Sequence, residues 1–187
     1  MYFREQQIAD AVRRYPINEV RYFSQSQAHT SVFLSHKHTE RTLMLQIKSM
    51  LEHIGIDVYI DWLDETMTST TSGKTAKKLK EKIKLYDKFV LVATNGAIAS
   101  KWCNWELGLG DAEKYSKDKI AILPIVPDYD YQWEGAEYLQ IYPSIEYQDG
   151  STTYSNGAKI PEGYYVLYPS DSNGMRIILK LTDWLRR

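Results

Sequence analysis

Cysteine is nearly missing from this chain: Cys103 is the single thiol in 187 residues. One cysteine excludes an internal disulfide and any metal cluster built from neighbouring thiolates, and it fits a reducing compartment. Long apolar runs are missing too. No stretch approaches the roughly 18 consecutive apolar residues of a membrane-crossing helix. The opening MYFREQQIADAVRRYP breaks its apolar positions with charges and holds no signal-peptide core. A cytoplasmic protein is expected. There is also no excess of charge of one sign. With 23 basic and 24 acidic residues the net charge is -1, so no global field draws the chain to nucleic acid or an anionic membrane.

What is present is ordinary globular composition, 43% hydrophobic and 25% charged, enough for one domain and a modest extension. Ile8, Val12 and Tyr15 recur at helical spacing until Pro16 stops the pattern, and SQSQAHT then reads as a linker. From residue 30 onward short apolar runs alternate with helical periodicity. SVFLS, IDVYID, KFVLVAT and KIAILPIV are strand candidates. Between them lie a helix with Leu43, Ile47, Leu51 and Ile54 on one face and a helix through Leu79, Ile83 and Tyr86. The helix SKWCNWELGLGDAEKY completes the series. This regular β-α alternation predicts a doubly wound parallel sheet. In the turn-rich last third, YYVLYP is expected as the fifth strand. NGMRIILKLTDWLRR is expected as a closing helix with Ile177, Leu181 and Trp184 on one side.

Such sheets bind ligands beyond the carboxyl ends of their strands, where the strand order reverses. Here that point falls between the first and third strands, lined by Ser35, His36 and Lys37 on one side and Thr94, Asn95 and Gly96 on the other. Asp61 and Trp62 are close by, and Lys74 could reach a phosphate from the next helix. A phosphoacceptor receiver would need an aspartate ending the third strand, where Ala93-Thr94-Asn95 stands instead. A flavodoxin would need a Ser/Thr/Gly phosphate loop, which HKHTE does not match. SGKT at 72–75 resembles part of a phosphate-binding loop but lacks the leading glycine and an immediately preceding strand.

The densest chemistry is SKWCNWELG at 100–108. Trp102 and Glu106 are about one helical turn apart and share a face. An indole beside a carboxylate suits a cationic aromatic ligand; a packing tryptophan beside a solvated glutamate has the same spacing. The lysines between 74 and 84 read mostly as a solvated helix face. His36 and His38 alternate as metal ligands can, but nothing completes a set, and no metal is expected. Cys103 is expected to point away from Glu106 and to pack. Gly108 and Gly110 suggest close backbone approach, to the sheet or to a partner subunit.

These segments together carry a family resemblance. VFLSHKH resembles the first conserved box of the Toll/interleukin-1-receptor (TIR) domain. DVYIDWLDETM resembles its second strand and BB loop, and FVLVATNGAIASKWCNWELG its third strand and Ser-x-Trp-Cys-x-x-Glu-Leu segment. The fit covers roughly residues 31–126, and the YYVLYP and TDWL segments look like those of stand-alone bacterial members, including the Thoeris antiphage group. The resemblance implies a flavodoxin-like α/β fold with a five-stranded parallel sheet over 30–187, preceded by an N-terminal helix and linker over 1–29. It implies cleavage of NAD at the nicotinamide–ribose bond, to ADP-ribose or a cyclic isomer that serves as a signal, with NAD as substrate and no separate cofactor. By the same resemblance Glu106 falls on the catalytic glutamate and Trp102 on the first residue of a Trp-x-x-x-Glu arrangement. Ser35, His36, Lys37, Asp61, Trp62, Lys74 and Thr94 are the candidate substrate contacts. Implied partners are further TIR domains, most simply copies of this chain, and an effector that senses the product. A non-catalytic interaction module assembling through the BB loop is the alternative. Many such adaptors lack the glutamate that this chain keeps.

Overall fold

Runs that are apolar at every position, with no polar alternation, suit strands covered on both faces. The computed structural model, which describes residues 2–14, 30–67, 72–128, 133 and 135–187, places them at the centre of one sheet. Strand β1 (Phe3–Arg4) leads into helix α1 (Glu5–Arg14). Then follow β2 (Ser31–Ser35), α2 (Arg41–His53), β3 (Asp57–Tyr59), α3 (Gly73–Leu85) and β4 (Lys88–Ala93). A short α4 (Asn95–Ile98) and the longer α5 (Lys101–Lys114) lead to β5 (Ile120–Val126). The chain closes with β6 (Ser144–Gln148), β7 (Gly163–Leu167), β8 (Ile178–Lys180) and α6 (Leu181–Leu185).

The strand order is β3-β2-β4-β5-β6-β7-β8, with β1 pairing β5. Strands β3, β2, β4, β5 and β6 are mutually parallel, whereas β6-β7 and β7-β8 are antiparallel. The α/β class and the parallel centre are as the sequence predicts. Two assignments differ. The fifth parallel strand is SIEYQ, not YYVLYP, because Ser144, Glu146 and Gln148 all point to one buried face and break the expected apolar run. YYVLYP does form a strand, but it returns antiparallel against β6. The expected closing helix is the second difference. Residues 178–180 pair with β7 first, after a turn at Gly174 with φ of +76°, and only the last segment is helical. Ile177 is therefore exposed while Leu181 and Trp184 are buried.

Two apolar layers cover the sheet. Ile8, Met44, Ile47, Leu51 and Trp184 pack with Val32, Val90 and Leu123 on one face. Leu79, Ile83, Cys103 and Leu107 pack with Phe33, Phe89 and Leu91 on the other. The N-terminal segment joins the first layer through Phe3 and Ile8. Gly110 meets the expectation of close approach, since a Cβ there would sit 2.8 Å from the Phe89 ring; Gly108 faces open space instead. The linker at 24–29, residues 68–71 of the LDETMTSTTSG loop and most of YDYQWEG lie outside the described residues.

Candidate active site

The chain leaves β2 toward β3 on one side and later enters β4 on the other, so the strand order reverses beyond the carboxyl ends of β2 and β4, the place where such sheets bind ligands. Helix α5 begins there. Ser100 caps it by accepting the Cys103 N–H, a capping role typical of serine. Cys103, Glu106, Leu107 and Gly110 recur at three- and four-residue spacing and form the buried face. Glu106 thus sits on an otherwise apolar stripe with only 5% of its surface exposed.

Ser35, the last residue of β2, donates its hydroxyl to Glu106 Oε2 at 2.6 Å. Glu106 takes no other hydrogen bond from the described residues, which leaves Oε1 for a ligand. Burial pushes the carboxyl up to about 7; the Ser35 hydrogen bond and His38 oppose the rise, and Asp61 adds to it. Desolvation disfavours charge, so near neutral pH this carboxyl is poised between its two forms.

The two histidines differ sharply. His36 is buried, its Nδ1 on the Leu34 carbonyl at 2.9 Å and its Nε2 accepting the Trp62 indole N–H at 2.9 Å. Both bonds are satisfied together only by the neutral Nδ1–H tautomer. Burial, the largest influence, also lowers its proton affinity. His38 is exposed, stacks on His36 with ring centroids 5.6 Å apart, and reaches Asp61 Oδ2 through Nε2 at 2.9 Å. That hydrogen bond raises the His38 proton affinity. Asp61 is buried at the start of a 3-10 turn (Asp61–Leu63), where its Oδ1 also accepts the Trp62 backbone N–H at 2.8 Å. Burial favours its neutral form, but His38, together with His36 and the Trp62 backbone N–H, outweighs that and holds Asp61 below the usual carboxylate range.

On the β4 side, Thr94 caps α4 by accepting the Ala97 N–H at 2.9 Å and donates its hydroxyl to the Glu40 carboxylate. Lys37 lies across Gly96, where a Cβ would meet its Cδ at 2.8 Å. Trp102 is half-buried and meets Trp105 edge-to-face at 5.2 Å. Ser35, His36, Asp61, Trp62 and Glu106 are thus brought together, with Lys37 and Thr94 on the opposite wall. Lys74 is exposed in the first turn of α3 and has no bond to this cluster among the described residues.

Cys103 does not point away from Glu106. It shares the buried face, donates its thiol to the His36 carbonyl at 3.3 Å, and is pushed up to about 11 by burial, which suits packing and not nucleophilic attack. Three lysines of α3 are engaged structurally, Lys82 with Asp64 at 2.8 Å, Lys84 with Glu113 at 3.2 Å and Lys78 with the Thr66 carbonyl, whereas Lys74, Lys77 and Lys80 are exposed. Sequence reasoning missed Glu40, Arg41 and Trp133. Arg41 stacks its guanidinium on Trp62 at 5.1 Å, and Trp133 donates its indole N–H to the Ala93 carbonyl at 2.7 Å, covering the end of β4. Their partners lie far away in sequence, so spacing carried no signal for them. Among the described residues no group of three His, Cys, Asp or Glu side chains could hold a metal ion, and no helix is long and apolar enough to cross a membrane.

The TIR-domain family model matches residues 32–159, a span that contains both Glu106 and the Ser35 that bonds it at the end of β2. The chain belongs to the TIR-domain family. A curated relative from Bacillus cereus (strain MSX-D12), a probable 3′ cyclic ADP-D-ribose synthase called ThsB′, is 33% identical over 117 residues. The alignment covers 61% of this chain and 59% of that protein, so the chain spans about three fifths of the relative's length.

Proposed function

We propose that this TIR domain cleaves the nicotinamide–ribose bond of NAD and yields ADP-ribose or a cyclic ADP-ribose isomer as a signal in bacterial antiphage defence. The observation that carries it is Glu106, buried at the strand switch point with one oxygen held by Ser35 and no second hydrogen bond among the described residues. The relative from Bacillus cereus, a probable 3′ cyclic ADP-D-ribose synthase, supports the same reaction class. Nicotinamide in NAD is already cationic, so it departs with the C–N electron pair as a neutral molecule and needs no general acid. Positive charge then develops on the ribose, and an ionised Glu106 beside its hydroxyls stabilises that oxocarbenium-like state. Water attack followed by proton loss gives ADP-ribose. Attack by a nucleophile of the same molecule gives a cyclic product, lighter by one water.

In this reading residues 30–187 are the catalytic domain and 1–29 its extension. Trp102 offers an aromatic face to the nicotinamide ring. Ser35, His36, Lys37, Asp61, Trp62, Lys74 and Thr94 are contacts or supports of the nucleotide. NAD is substrate, not cofactor. The enzyme works in the cytoplasm, self-associates, and its product acts on a separate effector.

The test is incubation of wild type and Glu106→Ala with NAD at high protein concentration, products read by mass spectrometry. Nicotinamide release by wild type alone is expected, and the mass of the companion product separates hydrolysis from cyclisation. Equal release by the variant would overturn the assignment of Glu106. No release from either, with dilution-resistant assembly, would favour an interaction module.

A further inference from the structure

Asp61 is a buried carboxylate whose counter-charge is on the surface. Its own residue is 6% exposed, whereas the His38 side chain bonded to it is 62% exposed. His36 approaches Asp61 Oδ1 only to 3.7 Å, and both of its ring nitrogens are committed elsewhere. It is neutral and cannot balance Asp61. His38 is left as the cation, and an exposed imidazole exchanges protons with solvent freely.

Resting on the reading of Glu106 as the reacting carboxylate, we propose that the His38–Asp61 pair is a positioning device for the charge state of Glu106. While His38 is protonated and paired, Glu106 is free to ionise. When His38 loses its proton or swings out, the bare Asp61 carboxylate moves the ionisation of Glu106 to higher pH. Adjacent residues at the end of β2 hold the two carboxylates together: Ser35 bonds Glu106 at 2.6 Å, and His36 lies 3.7 Å from Asp61 Oδ1. Asp61 accordingly raises the proton affinity of Glu106 and His38 lowers it, while Glu106 adds to the rise that the Asp61 hydrogen bond gives His38. Other groups around the site do not carry the effect. From β2 come the non-titrating Ser35 and the neutral His36. From α5 comes the Cys103 thiol, neutral at any working pH. The 36–40 loop adds Lys37 and Glu40, which face Thr94 and Gly96 on the other wall. Arg41 at the start of α2 stacks on Trp62 and works against protonation of His38. Like and opposite charges at close range shift a carboxyl by about 1 pH unit or more.

The test titrates Glu106 directly. The full chain, labelled with 13C-glutamate and with the Glu106 carboxyl assigned by its loss in Glu106→Gln, is followed by NMR against pH. Wild type is compared with Asp61→Asn, His38→Gln and the double variant. The midpoint is expected to fall by about one pH unit in Asp61→Asn and to rise by about as much in His38→Gln, with the double variant following Asp61→Asn. The acidic limb of kcat/KM for nicotinamide release should move in the same directions, a displacement that loss of a mere substrate contact would not give. Midpoints that coincide with wild type in both folded single variants overturn the proposal. If Asp61→Asn fails to fold, the exposed His38→Gln decides alone. The NMR titration needs no turnover, so a shifted midpoint without NAD cleavage sinks only the enzymatic reading, and cleavage with unmoved midpoints sinks only this one.

Discussion

Glu106→Gln should make this protein more stable in base and hardly change it in acid. The carboxyl sits near 7 in the folded chain against an ordinary 4.5, chiefly because burial penalises its charge. The folded state therefore keeps a proton that the unfolded chain has lost between those two values. The sign follows from linkage: a group whose folded pKa is raised contributes its full stability below the unfolded value, and that contribution drains away as pH climbs to the folded value. At 1.36 kcal/mol per pH unit the loss by pH 8 is about 3 kcal/mol, an order-of-magnitude figure. Glutamine reproduces the neutral form, still able to bond Ser35, and carries no such penalty. Urea unfolding of wild type and variant at pH 5 and pH 8 measures the difference directly, because every other titrating group is common to both. The expected gain is about 3 kcal/mol at pH 8 and below about 1 kcal/mol at pH 5. A gain equal at both pH values, or none at pH 8, would refute the claim that burial raises this carboxyl. Since the variant should also stop NAD cleavage, stability and activity would move in opposite directions at one residue, the trade-off expected of a strained functional group.

Wild-type nicotinamide release should increase with pH through about 7, as Glu106 ionises and only the carboxylate stabilises ribose charge; a rate falling through that range would contradict the role. Gly108→Ala, in open space on α5, should raise stability by about 0.5–1 kcal/mol, while Gly110→Ala, pressed on the buried Phe89 ring, should lower it by about 1–3 kcal/mol; thermal unfolding reads both. Trp62→Phe removes the indole donor from His36 Nε2, which should cost about 1 kcal/mol and raise the midpoint of the His36 ring in an NMR titration, since Nε2 can then take a proton toward Asp61. Thr94→Val loses both the α4 cap and the hydroxyl bond to Glu40, with an expected cost of about 1–2 kcal/mol in chemical denaturation. A raised KM for NAD without that cost would put the Thr94 hydroxyl on substrate instead.

How much of this was legible beforehand depends on how local each signal is. SVFLS, KFVLVAT and KIAILPIV were readable as buried strands because both faces of the central sheet are covered and their side chains are apolar throughout. The switch point followed from their order. SIEYQ escaped because its inward face is Ser144, Glu146 and Gln148, and these satisfy one another and nearby loops, as in the Ser144–Glu146 bond at 2.7 Å. Buried polar residues look like loop residues until their partners are known. The β8 segment was hidden for a related reason: RIILKL has an apolar pattern that helix and strand both accept, and only pairing with β7 selects the strand. At the site, Glu106 was found by motif, but its 2.6 Å bond to Ser35 joins residues 71 apart, and no spacing rule spans that distance.

The same long-range bonding alters how the SHKHTE loop should be understood. Several of its polar groups are already engaged by the scaffold: His36 by Leu34 and Trp62, His38 by Asp61, Glu40 by Thr94. The loop is therefore fastened to the end of β3 on one side and to the end of β4 on the other, across the switch point. Each fastening uses a donor or acceptor that a ligand would otherwise have to desolvate, so rigidity is gained where specificity contacts would be expected. What remains for chemistry is narrower than the sequence suggests: the second oxygen of Glu106, the ammonium of Lys37, the face of Trp102, and the charge that His38 presents to solvent. A site with so few uncommitted groups has little means of catalysis except electrostatics. That is why the ionisation of Glu106, and the neighbours that set it, should govern activity more strongly than any single contact to the nucleotide.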